Sequence, residues 1–145
     1  MSKTKAVINE LLVEIFNHIL NIEEEELRKS GINLSMNEIH TLEAINHADD
    51  TTMSNIARKM RITTGTLTTT INRLVGKKYV TRHIDEIDRR KVYLKLTKSS
   101  LEVLKEHDKF HNQMIDSLFE DLPIEDDEIL YKSLENIANY FKEKY

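Results

Sequence analysis

The apolar positions of this chain repeat with a helical period over most of its length and switch to strict alternation once. In residues 4–29, Ile8, Leu12, Ile15, Ile19 and Ile22 recur at alternating spacings of four and three. Such a narrow stripe predicts a long helix that packs on another helix, including one from a second chain. Gly31 ends it. Ser35 with Glu38 three residues on is a capping box, opening a helix that carries Ile39, Leu42 and Ile45. His47 to Asp50 is a polar break, and Thr51 or Thr52 then caps "MSNIARKM", with Met53, Ile56, Ala57 and Met60 on one face. Arg61 and Ile62 make a tight connection to "TTGTLTTTINRLVGKK", whose inner face is Leu67, Ile71, Leu74 and Val75. The alternation follows. Val92, Leu94 and Leu96 interleave with Tyr93, Lys95 and Thr97, and Tyr79 to Ile84 can pair back on them. Asp88, Arg89 and Arg90 fall at the tip of that hairpin. Thr97 caps a helix predicted over 98–119, and "DLPIEDDE" opens the last one, with Pro123 in its first turn.

Two short helices joined by a tight turn and followed by a hairpin predict a winged helix-turn-helix, a mainly α fold with a two-stranded wing. Composition agrees: 145 residues suit one domain, and only 3 Gly and 1 Pro favour helices. The chain has no Cys, which excludes disulfides, thiolate metal sites and thiol redox sensing. No signal peptide and no bilayer-length apolar run is visible, so a cytoplasmic setting without membrane contact is expected. Charge changes the picture more. Between Thr51 and Lys98, 12 Lys and Arg face 3 Asp and Glu, a net +9, so the rest of this −4 chain carries −13. A basic middle between acidic flanks suits a module that meets a polyanion.

The threonine-rich helix and the arginine tip are where that polyanion would bind. Thr64, Thr66, Thr68, Thr69 and Thr70 are poor helix formers, so propensity alone does not select them. Their hydroxyls and methyls suit phosphates and base edges, Gly65 permits close backbone approach, and Asn72 and Arg73 extend the same polar side. Thr63, Lys77 and Arg82 join the expected DNA contacts, Lys77 as a phosphate ligand. An arginine on a wing can enter a narrow minor groove, and Asp88 can hold Arg90 by accepting hydrogen bonds from the turn. Enzyme classes find no support: there is no G-x-S-x-G, no P-loop and no H-E-x-x-H. A helical interaction protein without DNA would explain the acidic ends but not the basic middle.

"LSMNEIHTLEAI" and "MSNIARKMRITTGTLTTTINRLVGKKYVTRHIDEIDRRKVYLKLT", with their flanking long helices, resemble the MarR family of bacterial transcriptional regulators. The resemblance covers nearly the whole chain as a single domain, residues 1–145. It implies a DNA-binding lobe over 35–97 and an obligate homodimer formed by the helices of 1–34 and 98–145. It implies a repressor on a pseudo-palindromic operator in double-stranded DNA. Its recognition helix would be Thr64 to Lys77, with Arg90 in the minor groove, Arg89 near phosphate and Asp88 in support. Lys78 departs from the family, which usually has Gly there in a left-handed conformation.

Within the family, "NEIHTLEAI", "TTGTLTTTINRL" and "KFHNQM" are similar to repressors of fatty-acid-synthesis genes, which respond to acyl groups on acyl carrier protein. The same positions also resemble zinc-responsive members. The histidines hold both alternatives open. His107 and His111 share one helix face, and with His40 and Glu24 they would make a tetrahedral zinc set. The same histidines can instead line an acyl pocket or hydrogen-bond within the fold. No cofactor is required by either reading.

Overall fold

In the computed structural model, which describes residues 2–144, the order is α1 (Lys3–Glu10), α2 (Phe16–Lys29), α3 (Met36–His47), α4 (Met53–Met60), α5 (Thr64–Gly76), β1 (Val80–Ile84), β2 (Val92–Leu96), α6 (Lys98–Asp116) and α7 (Glu128–Lys144). This is the expected mainly helical fold with a two-stranded antiparallel wing. The chain divides into two compact units, residues up to Asp108 and residues from Lys109 on. Among the described residues, no helix is long and apolar enough to cross a membrane.

The first unit holds the core. Ile39 and Leu42 of α3, Ile56 of α4, and Leu67, Ile71 and Leu74 of α5 are completely buried, with Val80 and Leu94 of the wing closing the cluster. Full burial of each such side chain stabilises by about 1.5–3 kcal/mol. The caps follow the sequence pattern. Ser35 accepts from the Glu38 N–H while the Glu38 carboxylate accepts from the Ser35 N–H, at 3.2 Å each. Thr52 caps α4 through the Asn55 N–H at 3.3 Å. Arg61 ends α4 in the left-handed region (φ 56°), which makes the tight turn into α5. Beyond the hairpin register of Val80 opposite Leu96 through Ile84 opposite Val92, Thr52 bridges Tyr93 and the Leu94 N–H donates to Thr51 at 2.9 Å. The wing is thereby anchored to the entrance of α4.

Three boundaries differ from the sequence reading. The long N-terminal helix widens into a π-helical turn over Leu11–Ile15, between α1 and α2. α6 stops at Asp116, where Ser117 turns its hydroxyl back onto the Met114 carbonyl at 2.6 Å and the next bonds tighten to i+3 spacing. α7 starts at Glu128 rather than around Pro123, because Asp127 supplies the cap, accepting the Leu130 N–H at 2.9 Å. Four consecutive acids offer competing caps there, and the residue pattern alone does not choose among them. In the first unit Leu11, Leu12, Val13 and Phe16 are exposed; in the second, Ile129, Leu134, Tyr140 and Phe141 are exposed.

Lys78 adopts φ 67°, the left-handed conformation anticipated for its position. Its carbonyl accepts the Thr97 hydroxyl at 2.9 Å, and the next carbonyl, of Tyr79, accepts the Thr97 N–H and the Ser100 hydroxyl. The strain is therefore held in place by the start of α6. Replacing Lys78 with Gly should raise stability by about 0.5–1 kcal/mol, the relief of the left-handed penalty less the added chain entropy. Urea unfolding measures this. A lower midpoint for Lys78→Gly would contradict it.

Candidate nucleic-acid interface

α5 is divided sharply between a buried and an exposed side. Leu67, Thr70, Ile71 and Leu74 face the core, and Thr64, Gly65, Thr66, Thr68, Thr69, Asn72 and Arg73 are exposed. Thr63 caps the helix by accepting the Thr66 N–H at 3.1 Å. The hydroxyls of Thr68, Thr69 and Thr70 donate back to the carbonyls of Thr64, Gly65 and Thr66. Back-bonds of this kind do not improve threonine's poor intrinsic helix propensity, so α5 is held by the packing of its buried side. The back-bonds occupy the hydroxyl protons, so the Thr68 and Thr69 surface offers a partner mainly oxygen lone pairs and methyl groups. At Gly65 a Cβ would meet only Thr63 Oγ1, at 4.0 Å, so the helix backbone is open to close approach there.

The wing is tied to that helix. Arg82 on β1 donates to the Asn72 side-chain oxygen on α5, so these two expected DNA-contact residues also hold each other. At the tip, two aspartates each fold the chain over their own carboxylate. Asp85 accepts the Ile87 N–H at 3.0 Å, and Asp88 accepts the Arg90 N–H at 3.1 Å. Backbone bonds from Asp85 N–H to the Lys91 carbonyl and from Lys91 N–H to the Asp88 carbonyl, both 3.0 Å, close the loop. Asp88 then holds the Arg90 guanidinium through Nε at 3.1 Å and Nη2 at 3.4 Å, while the Arg90 side chain stays 91% exposed. Arg89 beside it is exposed. The side-chain and backbone bonds from Arg90 hold the Asp88 carboxyl below its ordinary value of 3.8. Acid that protonates Asp88 therefore opens the clamp, at a lower pH than an ordinary aspartate would set.

Wing and helix share one surface depression of about 360 Å³, lined by Asp50, Thr52, Ser54, Thr64, Arg90 and Lys91 among others. It joins the starts of α4 and α5 to the tip end of the wing. Ser54 and Lys91 were not singled out from the sequence. Ser54 follows the Thr52 cap in the first turn of α4, where free N–H groups favour anions, and Lys91 extends the arginine pair by one residue; both signals were legible. Asp50 lies within this basic surface. Hydrogen bonds from Thr52 hold its carboxyl below 3.8, with Lys91 and Arg58 adding to the effect.

Lys77 requires a correction. Instead of reaching outward for phosphate, its ammonium bonds both oxygens of buried Glu38 at 3.2 and 3.1 Å and the Asn33 carbonyl at 3.0 Å. It fastens the end of α5 to the capping box of α3. The expected zinc set is also rearranged. Glu24 accepts the Met36 N–H at 2.8 Å and lies 3.8 Å from Arg28, and His40 is exposed. His107 is buried, with Nε2 2.8 Å from a Glu43 oxygen, and Glu23 also offers a carboxylate oxygen within 4.8 Å of a His107 ring nitrogen. His111 follows one turn on along α6, half-buried. Neither His40 nor Glu24 joins the group around His107. A one-residue change on α2 selects a different helix face, which is why Glu23 stands in for Glu24.

Comparison with known proteins gives a consistent result. A family model described as the MarR family matches residues 34–92. FabT of Streptococcus pneumoniae, solved in complex with DNA, superposes with a TM-score of 0.86 at 35% identity, covering 97% of this chain and 99% of that one. AbsC of Streptomyces coelicolor, a MarR family transcriptional regulator, gives 0.71 at 25% identity over 99% and 98%. The S. aureus MepR–DNA complex shares the fold, with a TM-score of 0.72 at 21% identity over 91% and 96%. No curated protein matches the sequence significantly.

Asp88→Asn separates charge from geometry at the wing tip. The change removes a negative charge from a basic loop expected to meet DNA, so bulk electrostatics alone predicts tighter binding to every duplex. Loss of the Arg90 clamp predicts the reverse for a preferred site. We expect affinity for a preferred duplex to fall about three- to tenfold while affinity for random duplex holds or rises, measured by fluorescence anisotropy. An equal gain on both duplexes would show that the clamp has no role.

Proposed function

The chain belongs to the MarR family and is a DNA-binding transcriptional regulator rather than an enzyme, and we propose that it represses transcription in the cytoplasm as a homodimer on a pseudo-palindromic operator. The observation that carries this reading is the depression shared by Thr64 at the start of α5 and Arg90 at the wing tip, which lets one duplex engage both. In this reading Thr63, Thr64, Gly65, Thr66, Thr68, Thr69, Asn72 and Arg73 meet the major groove. Arg90 enters the adjacent minor groove, Arg89 meets phosphate, Asp88 positions Arg90, and Arg82 acts through Asn72. The DNA complexes of FabT and MepR support the choice of partner.

The homodimer is supported by the exposed apolar side chains of each unit, which a soluble single chain would not leave open in such number. Two half-sites must lie about 34–36 Å apart for both recognition helices to dock. An effector that favours one separation therefore sets operator affinity by population shift. We assign that effector to the long-chain acyl carrier protein class on the fatty-acid-synthesis resemblance of the sequence. A surface depression of about 640 Å³ beside the wing's base, lined by Ile32, Tyr79 and Val103 with Ser30, Ser99, Glu102, Lys105 and Glu106, supports this assignment. The juxtaposition of Glu23 with His107, followed by His111, favours a second reading in which a zinc ion is the effector.

Three measurements test these statements. A duplex selected by the protein from a random library should bind with an affinity that falls steeply between low and moderate salt, and Arg90→Ala should lower the slope of log K against log salt by about one. Affinity independent of salt would sink the DNA reading. A long-chain acyl carrier protein should tighten binding to the selected duplex, whereas zinc should leave Tm unchanged. A chelator-reversible rise in Tm with stoichiometric zinc, without an acyl response, would replace the first effector by the second.

A further inference from the structure

Ile87 is 96% exposed, more than any other large apolar side chain of the described residues that stands free of the core. It sits on the wing tip one residue before Asp88. The loop that presents it is built rather than slack: the Asp85 carboxylate accepts the Ile87 N–H, and the paired backbone bonds between Asp85, Asp88 and Lys91 close the turn around it. An isoleucine pre-ordered in water gains nothing for the isolated chain, since neither its entropy nor its apolar surface is offset by packing. Its neighbours narrow what could bury it. Arg89, Arg90 and Lys91 follow within four residues, so the surface that covers Ile87 must combine apolar patches with closely spaced negative charge. A minor groove has that composition: deoxyribose faces and base edges form its walls, with phosphates along its rims. Apolar wedges beside arginines are a recurrent device there.

We infer that Ile87 is a specificity-determining residue, packing its side chain against the walls of the minor groove entered by Arg90 and favouring base steps that open easily. The inference rests on the DNA reading above and adds an apolar reader to a charged one. The two contributions differ in their response to salt. Arg90 displaces counterions, so its loss changes the slope of log K against log salt; Ile87 displaces only water, so its loss lowers every point of the line by the same factor.

The test uses full-length protein and a duplex selected by the wild type from a random library. Ile87→Ser should weaken binding roughly five- to tenfold at low, middle and moderate salt alike, with an unchanged slope and an unchanged Tm. In a duplex whose wing-facing A·T pairs are replaced by G·C, which adds an amino group in the minor groove, the wild type should lose affinity and Ile87→Ser should lose markedly less. Unaltered affinity of Ile87→Ser for the selected duplex overturns the inference, as does a loss that appears as a changed slope. Unaltered DNA binding with a loss of dimer mass in native mass spectrometry also overturns it, since Ile87 would then serve a protein contact. Failure of the wild type to bind any duplex in a salt-dependent way is a separate result and removes the DNA reading itself.

Discussion

Leu67, Ile71 and Leu74 set the orientation of every α5 side chain proposed to meet DNA. These three side chains of α5 are completely buried, and their spacing of four and three leaves only one way for the helix to lie on α3 and α4. Once they are inside, the threonines, Asn72 and Arg73 are outside, whatever their own helix propensities. The same constraint reaches the wing, because Arg82 is bonded to Asn72 and Val80 and Leu94 complete the core beneath the helix. The charged surface is therefore a consequence of apolar packing.

Polar bonds then fix the angles that packing leaves soft. Lys77 joins the end of α5 to Glu38, and Glu38 is itself a member of the α3 capping box. Glu24 of α2 accepts the N–H of Met36, the first residue of α3. Met36 and Glu38 thus collect bonds from the N-terminal helix on one side and the end of α5 on the other. Glu38 is buried, so leaving its charge without Lys77 would be costly. At the far end of the lobe the wing tip uses exposed bonds of the same kind, which supply direction to Arg90 and little to stability.

The sequence made the short-range features legible. Capping residues act within one turn of themselves, so Ser35 and the Thr51–Thr52 pair could be read in place, and alternation in Val92, Leu94 and Leu96 located the strand. Asp88 and Arg90, two residues apart, were equally readable as a turn-held pair. Features decided by distant partners were not. Lys77 looked like one more basic residue on a basic helix, because Glu38 lies 39 positions away. Glu24 and Glu23 are adjacent in a run of four acids, and only the packing of α2 on its neighbours says which of them is near His107. The start of α7 depended on which of several acids caps it, and the π-helical turn at Leu11–Ile15 left no trace in the apolar spacing.

The central claim is that the exposed side of α5 and the tip of the wing grip one duplex from neighbouring grooves. Chemical footprinting of the protein on its selected duplex examines both grooves at once. Methylation at guanine N7 reports the major groove, and hydroxyl-radical cleavage reports the sugar edges lining the minor groove. The account predicts two stretches of N7 protection about one helical turn apart, each with adjoining minor-groove protection. Protection confined to one groove, or a footprint with a single half-site, would contradict it.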